Sequence, residues 1–517
     1  MSIESTADVA IKQNLEQFLI VLSVSLSVAT ISRVFSWFRQ IPYTLLLVIV
    51  GLFLAFVDIR LVNLSPELIL EIFLPPLLFE AAWNVRWQDL KEKWFPVTLF
   101  AIFGVIISVI GVAFALNQFT ALSLTTALLV GASLSTTDPV SVVALFREVG
   151  AGKQLSILME GESLFNDGVA VVSFVLLVES TLGKTGFSLA ETVARFFTFA
   201  GIGVGMGCMV GFGISYLTQR FDLPLVEQSL TLVSAYGTYL ITEELGGSGV
   251  IGVVTVGLVL GNFGSRVGMN PRTRLLVSEF WEFLAFFVNS IVFLLIGDQI
   301  KISSLSDNLD LIFVAIVSVI ITRIISIYGL GNLSNWIAKT QITFREQTVL
   351  CWGGLRGSVS IALALSTPVT LIERQEIIEA VFGVVLFTLL FQGLTIKWLL
   401  EKLDLIGDRL IRQEYTELLA RRVALKRVLD YLLKLDTSPE VDPDSYCQEK
   451  KLIKEQLESV EENIEKLQTQ HPQLRSLDLQ QLREQLLNIE ADTYAEFIRA
   501  GRLNANLPSL LQEIWND

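Results

Sequence analysis

Histidine is nearly absent: the only one, His471, stands near the C-terminal end of the 517 residues. No histidine cluster can therefore bind a metal or sense pH in the rest of the chain. Cysteine is scarce as well. Cys208, Cys351 and Cys447 are odd in number and far apart, which speaks against a disulfide framework and offers no metal-ligand spacing. Basic charge is in deficit, 38 Lys and Arg against 52 Asp and Glu, so nucleic acid is not an expected partner. The first residues, MSIESTADVA, lack the basic start of a cleaved signal peptide. The apolar part contains no metalloprotease motif and no Ser/His or Cys/His pair, so neither an enzyme nor a cofactor is expected, although two nearby acids alone would also suit an aspartyl hydrolase.

Apolar residues are abundant. They make up 52% of the chain and the mean hydropathy is +0.59, too high for an ordinary soluble domain. Of the 90 charged side chains, 36 fall in the last 113 residues. The chain thus reads as a lipid-embedded body, 1–404, and a charged helical tail, 405–517. A spanning helix needs roughly 20 mostly apolar residues. On that basis the body holds 13 segments, beginning near residues 17, 41, 65, 95, 121, 155, 191, 226, 247, 279, 309, 345 and 375. Basic residues number 13 after odd segments and 5 after even ones. The positive-inside rule then places the amino terminus outside and the tail in the cytoplasm.

Ionisable groups within apolar segments are costly and usually functional. Here they are Glu80, Asp138, Glu162, Asp167, Glu243, Glu244, Asp298, Arg323 and Arg356. Asp298, Glu243 and Glu244 lie near segment ends, where contact with headgroups would explain them. Glu162 and Asp167 have apolar sequence on both sides, in GESLFNDGVAV. On a helix, Glu162, Asn166, Ser163 and Asp167 fall within about 140° of arc, leaving the other side to Leu164, Val169 and Val172. A one-sided cluster of oxygens suits a hard cation, which replaces lost hydration with oxygen ligands. The alternative is a helix–helix hydrogen-bond network, for which Ser, Thr or Asn would serve at lower cost than two acids.

Two segments carry their own breaks. In GASLSTTDPVSVVALF, Pro139 cannot donate a backbone hydrogen bond, and Thr137 and Asp138 precede it. Unwinding there would expose carbonyls useful around an ion; a simple proline kink is the alternative. In CWGGLRGSVSIALAL, Gly353, Gly354 and Gly357 surround Arg356 and weaken the helix around a buried cation, unless they serve only close packing. Arg356 then needs a carboxylate partner, Glu162 first and Asp138 second. The broken segments are the fifth and twelfth, the middle members of the triplets 4–5–6 and 11–12–13. Paired interruptions in inverted repeats point to a transporter's binding site near the midplane.

FLPPLLFEAAW, STTDPV, GESLFNDG, FWEFLAFFVNSIVFLLIG, WGGLRGSVSIALAL and VVLFTLLFQGLT, in this order, resemble the motif series of monovalent cation:proton antiporters, above all the electroneutral, NhaP-like bacterial sodium/proton antiporters. The resemblance covers roughly residues 15 to 400. It implies an all-α membrane protein with 13 transmembrane helices, inverted repeats and two broken crossing helices. It further implies a homodimer in the bacterial plasma membrane. A dimerisation part would lie at about 15–94 and 191–300, and a mobile core at about 95–180 and 309–400. By the same resemblance, Asp167 binds Na⁺ (or Li⁺) and H⁺ alternately. Ser163 and Thr137 supply further metal ligands, Glu162, Asn166 and Asp138 build or brace the site, and Arg356 and Glu80 are supporting charges. The Asn166–Asp167 pair matches the electroneutral branch. No cofactor is implied beyond the transported ions.

The tail lies outside these motifs. EYTELLARRVALKRVLDYLLKL and CQEKKLIKEQLESVEENIEKLQ have the three- and four-residue apolar spacing of amphipathic helices, with TSPEVDPDS as a loop between them. LDLQQLREQLLNIE and NANLPSLLQEIW read as further helices. Arg409, Arg412, Arg421, Arg422, Lys426 and Arg427 form a basic stripe suited to anionic lipid, or an ordinary solvated face. The tail reads as regulatory or dimer-contacting. Two other functions remain open on the residues alone: K⁺/H⁺ exchange by the same architecture, and a cation sensor acting through the tail.

Overall fold

A computed structural model of the chain describes residues 3–34, 42–57, 65–182, 189–219, 223–299, 308–405, 409–435 and 443–470, with a few positions between 486 and 494. Every regular element among them is helical. They fall into two units, 1–405 and 406–517.

The first unit opens with α1 (Ile3–Val34), which begins well ahead of the expected span, and α2 (Tyr43–Phe56). A π-turn, Leu68–Phe73, leads into α3 (Leu74–Asn84). Pro75 and Pro76 open α3, where their missing N–H groups leave the fewest bonds unmade. Next come α4 (Trp87–Glu92), α5 (Trp94–Thr98) and α6 (Gly104–Phe119), then the short α7 (Leu124–Ser133) and α8 (Val140–Val149), and the long α9 (Lys153–Thr181). They are followed by α10 (Leu189–Thr218), α11 (Pro224–Glu244), α12 (Gly249–Val259) and α13 (Pro271–Gln299). The unit closes with α14 (Leu309–Ala338), α15 (Phe344–Trp352), α16 (Ser358–Leu365), α17 (Arg374–Phe387) and α18 (Gly393–Lys402), the last two joined by a π-turn, Thr388–Gln392.

Six stretches among the described residues are long and apolar enough to cross a membrane: Trp94–Phe119, Lys153–Thr181, Ala190–Thr218, Arg272–Gln299, Leu309–Ala338 and Arg374–Lys402. Several others are short because they are interrupted, which is what places the site. α7 stops at Ser133 and α8 starts only at Val140; α15 stops at Trp352 and α16 starts at Ser358. Both interruptions fall where the sequence weakens a helix, at Pro139 and at Gly353, Gly354 and Gly357.

Lipid supplies no hydrophobic drive between helices, so close approach through small residues matters more here than in water. α2 and α13 meet at Gly51 and Gly297. A Cβ on Gly51 would lie against the Leu294 carbonyl and 2.9 Å from the backbone N of Asp298. Asp298 is fully buried beside this contact, not exposed at a headgroup as its place near a segment end suggests.

In the second unit, α19 (Arg409–Leu435) and α20 (Pro443–Gln470) pair as an amphipathic hairpin. Tyr415 and Ile464 are buried between them, flanked by Leu418, Leu419, Val460 and Leu467. Gln468 donates to the Tyr415 hydroxyl at 2.6 Å, and Lys426 pairs with Glu461 at 3.0 Å. Lys426 of the expected basic stripe is thus engaged within the hairpin. The Arg409 and Arg412 side chains, His471, the start of the 477–490 helix and the last short helix lie outside the described residues.

The α2–α13 contact leaves no room for a side chain. Gly51→Leu is expected to destabilise the folded body by at least about 1–3 kcal/mol. It should melt several degrees below wild type in detergent, whereas Gly213→Leu, facing open space on α10, should not.

Candidate functional site

The two interruptions cross. The backbone N–H of Asp138 donates to the Leu355 carbonyl at 2.8 Å, and the hydroxyls of Thr136 and Ser360 lie 2.6 Å apart. Each of these bonds runs from one broken segment to the other, so each satisfies polar groups that lipid could not. Gly357 marks the closest approach: a Cβ there would occupy the space of the Asp138 carboxyl.

Charged groups meet the free helix ends. Unpaired carbonyls make a helix C-terminus partly negative, and unpaired N–H groups make an N-terminus partly positive. Past the end of α7, the Arg356 guanidinium donates to the carbonyls of Thr136 (2.8 Å) and Ser135 (3.5 Å). Near the end of α15, Arg323 donates to the Leu350 carbonyl at 3.0 Å. At the start of α8, the Asp138 carboxylate accepts from the Val140 N–H at 3.1 Å. The Arg356 N–H finds the Thr388 hydroxyl at 3.1 Å, at the head of the π-turn between α17 and α18.

α9 lies against this crossing. Ser163 donates to the Thr137 carbonyl, and Asn166 donates its amide to the Thr137 hydroxyl at 2.6 Å. Glu162 takes both terminal nitrogens of Arg323 in a two-pronged ion pair. Asp167, one turn on from Ser163, is 8% exposed, and its Oδ1 has no hydrogen-bond partner. The α9 residues Glu162, Ser163, Asn166 and Asp167 and the break residues Thr137 and Asp138 therefore stand together. The arrangement offers a desolvated carboxylate oxygen beside a brace of hydroxyl, carbonyl and amide groups, a donor set that suits a hard monovalent cation or a proton.

The expected pairing of Arg356 with Glu162, or failing that with Asp138, is corrected. Glu162 belongs to Arg323, and Arg356 rests on neutral carbonyls. A guanidinium fork matches a carboxylate best when both oxygens are in line. Arg323, at mid-height on α14, has that geometry; Arg356, inside the break, already faces the exposed carbonyls of α7. The sequence did carry a signal for Arg323, since an arginine in the middle of a 30-residue apolar helix requires a carboxylate. The role of Thr388 left no sequence trace, because it depends on how α17 packs.

Glu80 is not brought to this cluster. It accepts from Asn84 at 2.5 Å and lies within electrostatic reach of Arg147, Glu160 and Glu282, where Arg147 and Glu160 pair at 2.9 Å. Glu243 caps the start of α12 through the Gly249 N–H at 3.0 Å.

Breaking one side of a buried ion pair strands the other charge. Arg323→Met alone should cost about 3–5 kcal/mol of stability, while the Glu162→Gln/Arg323→Met double variant should recover much of that loss. Thermal unfolding of the four proteins of the cycle measures it; additive losses would show that the pair contributes no coupling.

The family model described as "Sodium/hydrogen exchanger, transmembrane" matches residues 22–402. The chain is 69% identical over 516 residues to the Na(+)/H(+) antiporter ApNhaP of Aphanothece halophytica, covering 99% of both. It is 61% identical over 506 residues to the low-affinity Na(+)/H(+) antiporter NhaS1 of Synechocystis, covering 97% of this chain and 96% of that one. In fold it is similar to the sodium proton antiporter MjNhaP1 from Methanocaldococcus jannaschii at pH 8, with a TM-score of 0.62 at 22% identity, covering 77% of this chain and all of that one. With the family model spanning most of the chain and relatives this similar along its whole length, the protein belongs to the sodium/hydrogen exchanger family.

Proposed function

We propose that the protein is a secondary active antiporter that exchanges one Na⁺ (or Li⁺) for one H⁺ by alternating access, without net charge movement. The observation that carries this reading is Asp167: a buried acid with an unpartnered oxygen, set beside the crossing of two interrupted helices. The relatives that share its whole length are themselves named Na(+)/H(+) antiporters.

The mechanism uses only this chain's own groups. An unneutralised carboxylate is costly away from water. When Asp167 is deprotonated, Na⁺ binds to it, with oxygens of Ser163 and Thr137 as further ligands. When the carboxyl is protonated, the oxygen no longer attracts a cation. Asn166 holds Thr137 in place without adding a second titratable group. If the core moves only when Asp167 is neutralised, by either ion but never both, exchange is obligatory and one for one. Glu162 is held by Arg323, and Asp138 faces the start of α8.

In this reading 13 segments span the bacterial plasma membrane, with the amino terminus outside and the tail in the cytoplasm. A core of about 95–180 and 309–400 moves against a part made of about 15–94 and 191–300, through which two protomers pair. The tail is a regulatory element. K⁺/H⁺ exchange is the runner-up, since oxygen ligands alone do not separate the two ions.

Asp167→Asn should abolish exchange in vesicles, read as dequenching of a pH-sensitive dye on adding Na⁺; a wild-type rate would remove Asp167 from its role. The wild-type rate should not change when a potassium–valinomycin potential is imposed. A strong voltage dependence would exclude one-for-one exchange.

A further inference from the structure

The motif VVLFTLLFQGLT, residues 384–395, has no part in the mechanism above and holds no ionisable group. In the fold it spans the end of α17, the π-turn Thr388–Gln392 and the start of α18. π-turns inside helices recur at functional sites. Both threonines of this motif reach the second interrupted segment.

Thr388 is 2% exposed. Its hydroxyl donates to the Val385 carbonyl at 3.0 Å and accepts from the Arg356 backbone N–H at 3.1 Å. A hydroxyl has one proton. With that proton on Val385, the oxygen is fixed as an acceptor for Arg356. Thr395 repeats the arrangement: it donates to the Phe391 carbonyl at 2.7 Å and accepts from the Trp352 indole N–H at 2.9 Å.

These two anchors bracket the weak point of the segment. Trp352 ends α15, Arg356 lies four residues on inside the break, and Gly353 and Gly354 stand between them. Close neighbours keep both glycines bare: a Cβ on Gly353 would lie 2.5 Å from the Met159 methyl, and one on Gly354 would lie 2.7 Å from Arg323 Nε. Adjacent glycines give the backbone little stiffness of its own. The place of the Arg356 Cα must therefore be fixed from outside, and among the described residues the Thr388 hydroxyl is the partner of its N–H.

That place matters for the ion. The Arg356 guanidinium holds the carbonyls of Thr136 and Ser135. The next residue, Thr137, accepts from Ser163 and Asn166 and is an ion ligand in the exchange mechanism, on which this step rests. A shift of the Arg356 backbone would pass through its side chain to the first break, and so to Thr137.

We propose that Thr388 is a positioning residue for the cation site, acting through Arg356, and that Thr395 supports it through Trp352. Neither is a ligand. Together they hold the second break from behind, so that the arginine keeps the first break in its ion-binding geometry. The motif thus sets Na⁺ affinity and takes no part in the exchange of ions at Asp167.

The test is the Na⁺ dependence of exchange by the full-length protein in vesicles. Thr388→Val keeps the shape of the side chain and removes the acceptor. Its apparent KM for Na⁺ should rise about tenfold, the low end of what losing a group that orients metal ligands costs. The maximal rate should stay near wild type, because Asp167 is untouched. Thr388→Ser keeps the hydroxyl and should keep the wild-type KM. Thr395→Val should raise KM by less. Thr395 is only half-buried, so this variant carries the test if Thr388→Val does not accumulate. Calorimetric Na⁺ titration of the purified proteins should give the same ranking without any exchange. A wild type that binds Na⁺ but does not exchange it would therefore sink the exchange reading alone. A wild-type Na⁺ affinity in either folded valine variant, or equal losses in Thr388→Ser and Thr388→Val, would overturn the positioning role.

Discussion

Polar backbone drawn into a bilayer has no water to bond with, so the protein must satisfy it from within. Two helices interrupted at membrane depth create loose ends, and the arrangement around them follows from that demand. Arg356 and Arg323 face exposed carbonyls, Asp138 faces an exposed N–H group, and the backbone of one break bonds to the other through Asp138 and Leu355. The glycines are part of the same solution. Without a bare Cα at residue 357, the Asp138 carboxyl could not sit where the breaks cross.

Charge is divided unequally across this centre. Glu162 and Arg323 hold each other in both directions and form a fixed element. Asp167 has no such clamp, and its Oδ1 lacks even a hydrogen bond. Two carboxylates five residues apart on one helix thus stand in opposite settings, one fixed by a cation of the protein and the other, in the proposed mechanism, left to a mobile one. This contrast, more than burial alone, is why we propose Asp167 as the exchanging group.

Much of this was legible in the sequence because it is written locally. Pro139 and the glycines around Arg356 mark the breaks by backbone chemistry alone, and the helical spacing of Glu162, Ser163, Asn166 and Asp167 puts them on one side of α9. The partner of Glu162 was not legible, because α14 reaches it through tertiary packing and Arg356 was an equally charged candidate. The bracing by Thr388 and the buried position of Asp298 were hidden for the same reason. Glu80 shows the converse: it sits in a recognisable motif, yet it packs with Asn84 and near Arg147 and Glu160, away from the crossing. In the tail, amphipathic spacing marked α19 and α20 as helices, while their packing against each other is seen only in the structure.

If one carboxylate serves both ions, Na⁺ binding must displace the proton it replaces. Calorimetric Na⁺ titrations of the purified protein in buffers of different ionisation enthalpy count the protons released. In the acid range, where Asp167 begins protonated, one proton should leave for each Na⁺ bound, and apparent Na⁺ affinity should fall about tenfold per pH unit. Sodium binding with no proton release at any pH, or the same release from Asp167→Asn, would contradict competition at a single acid.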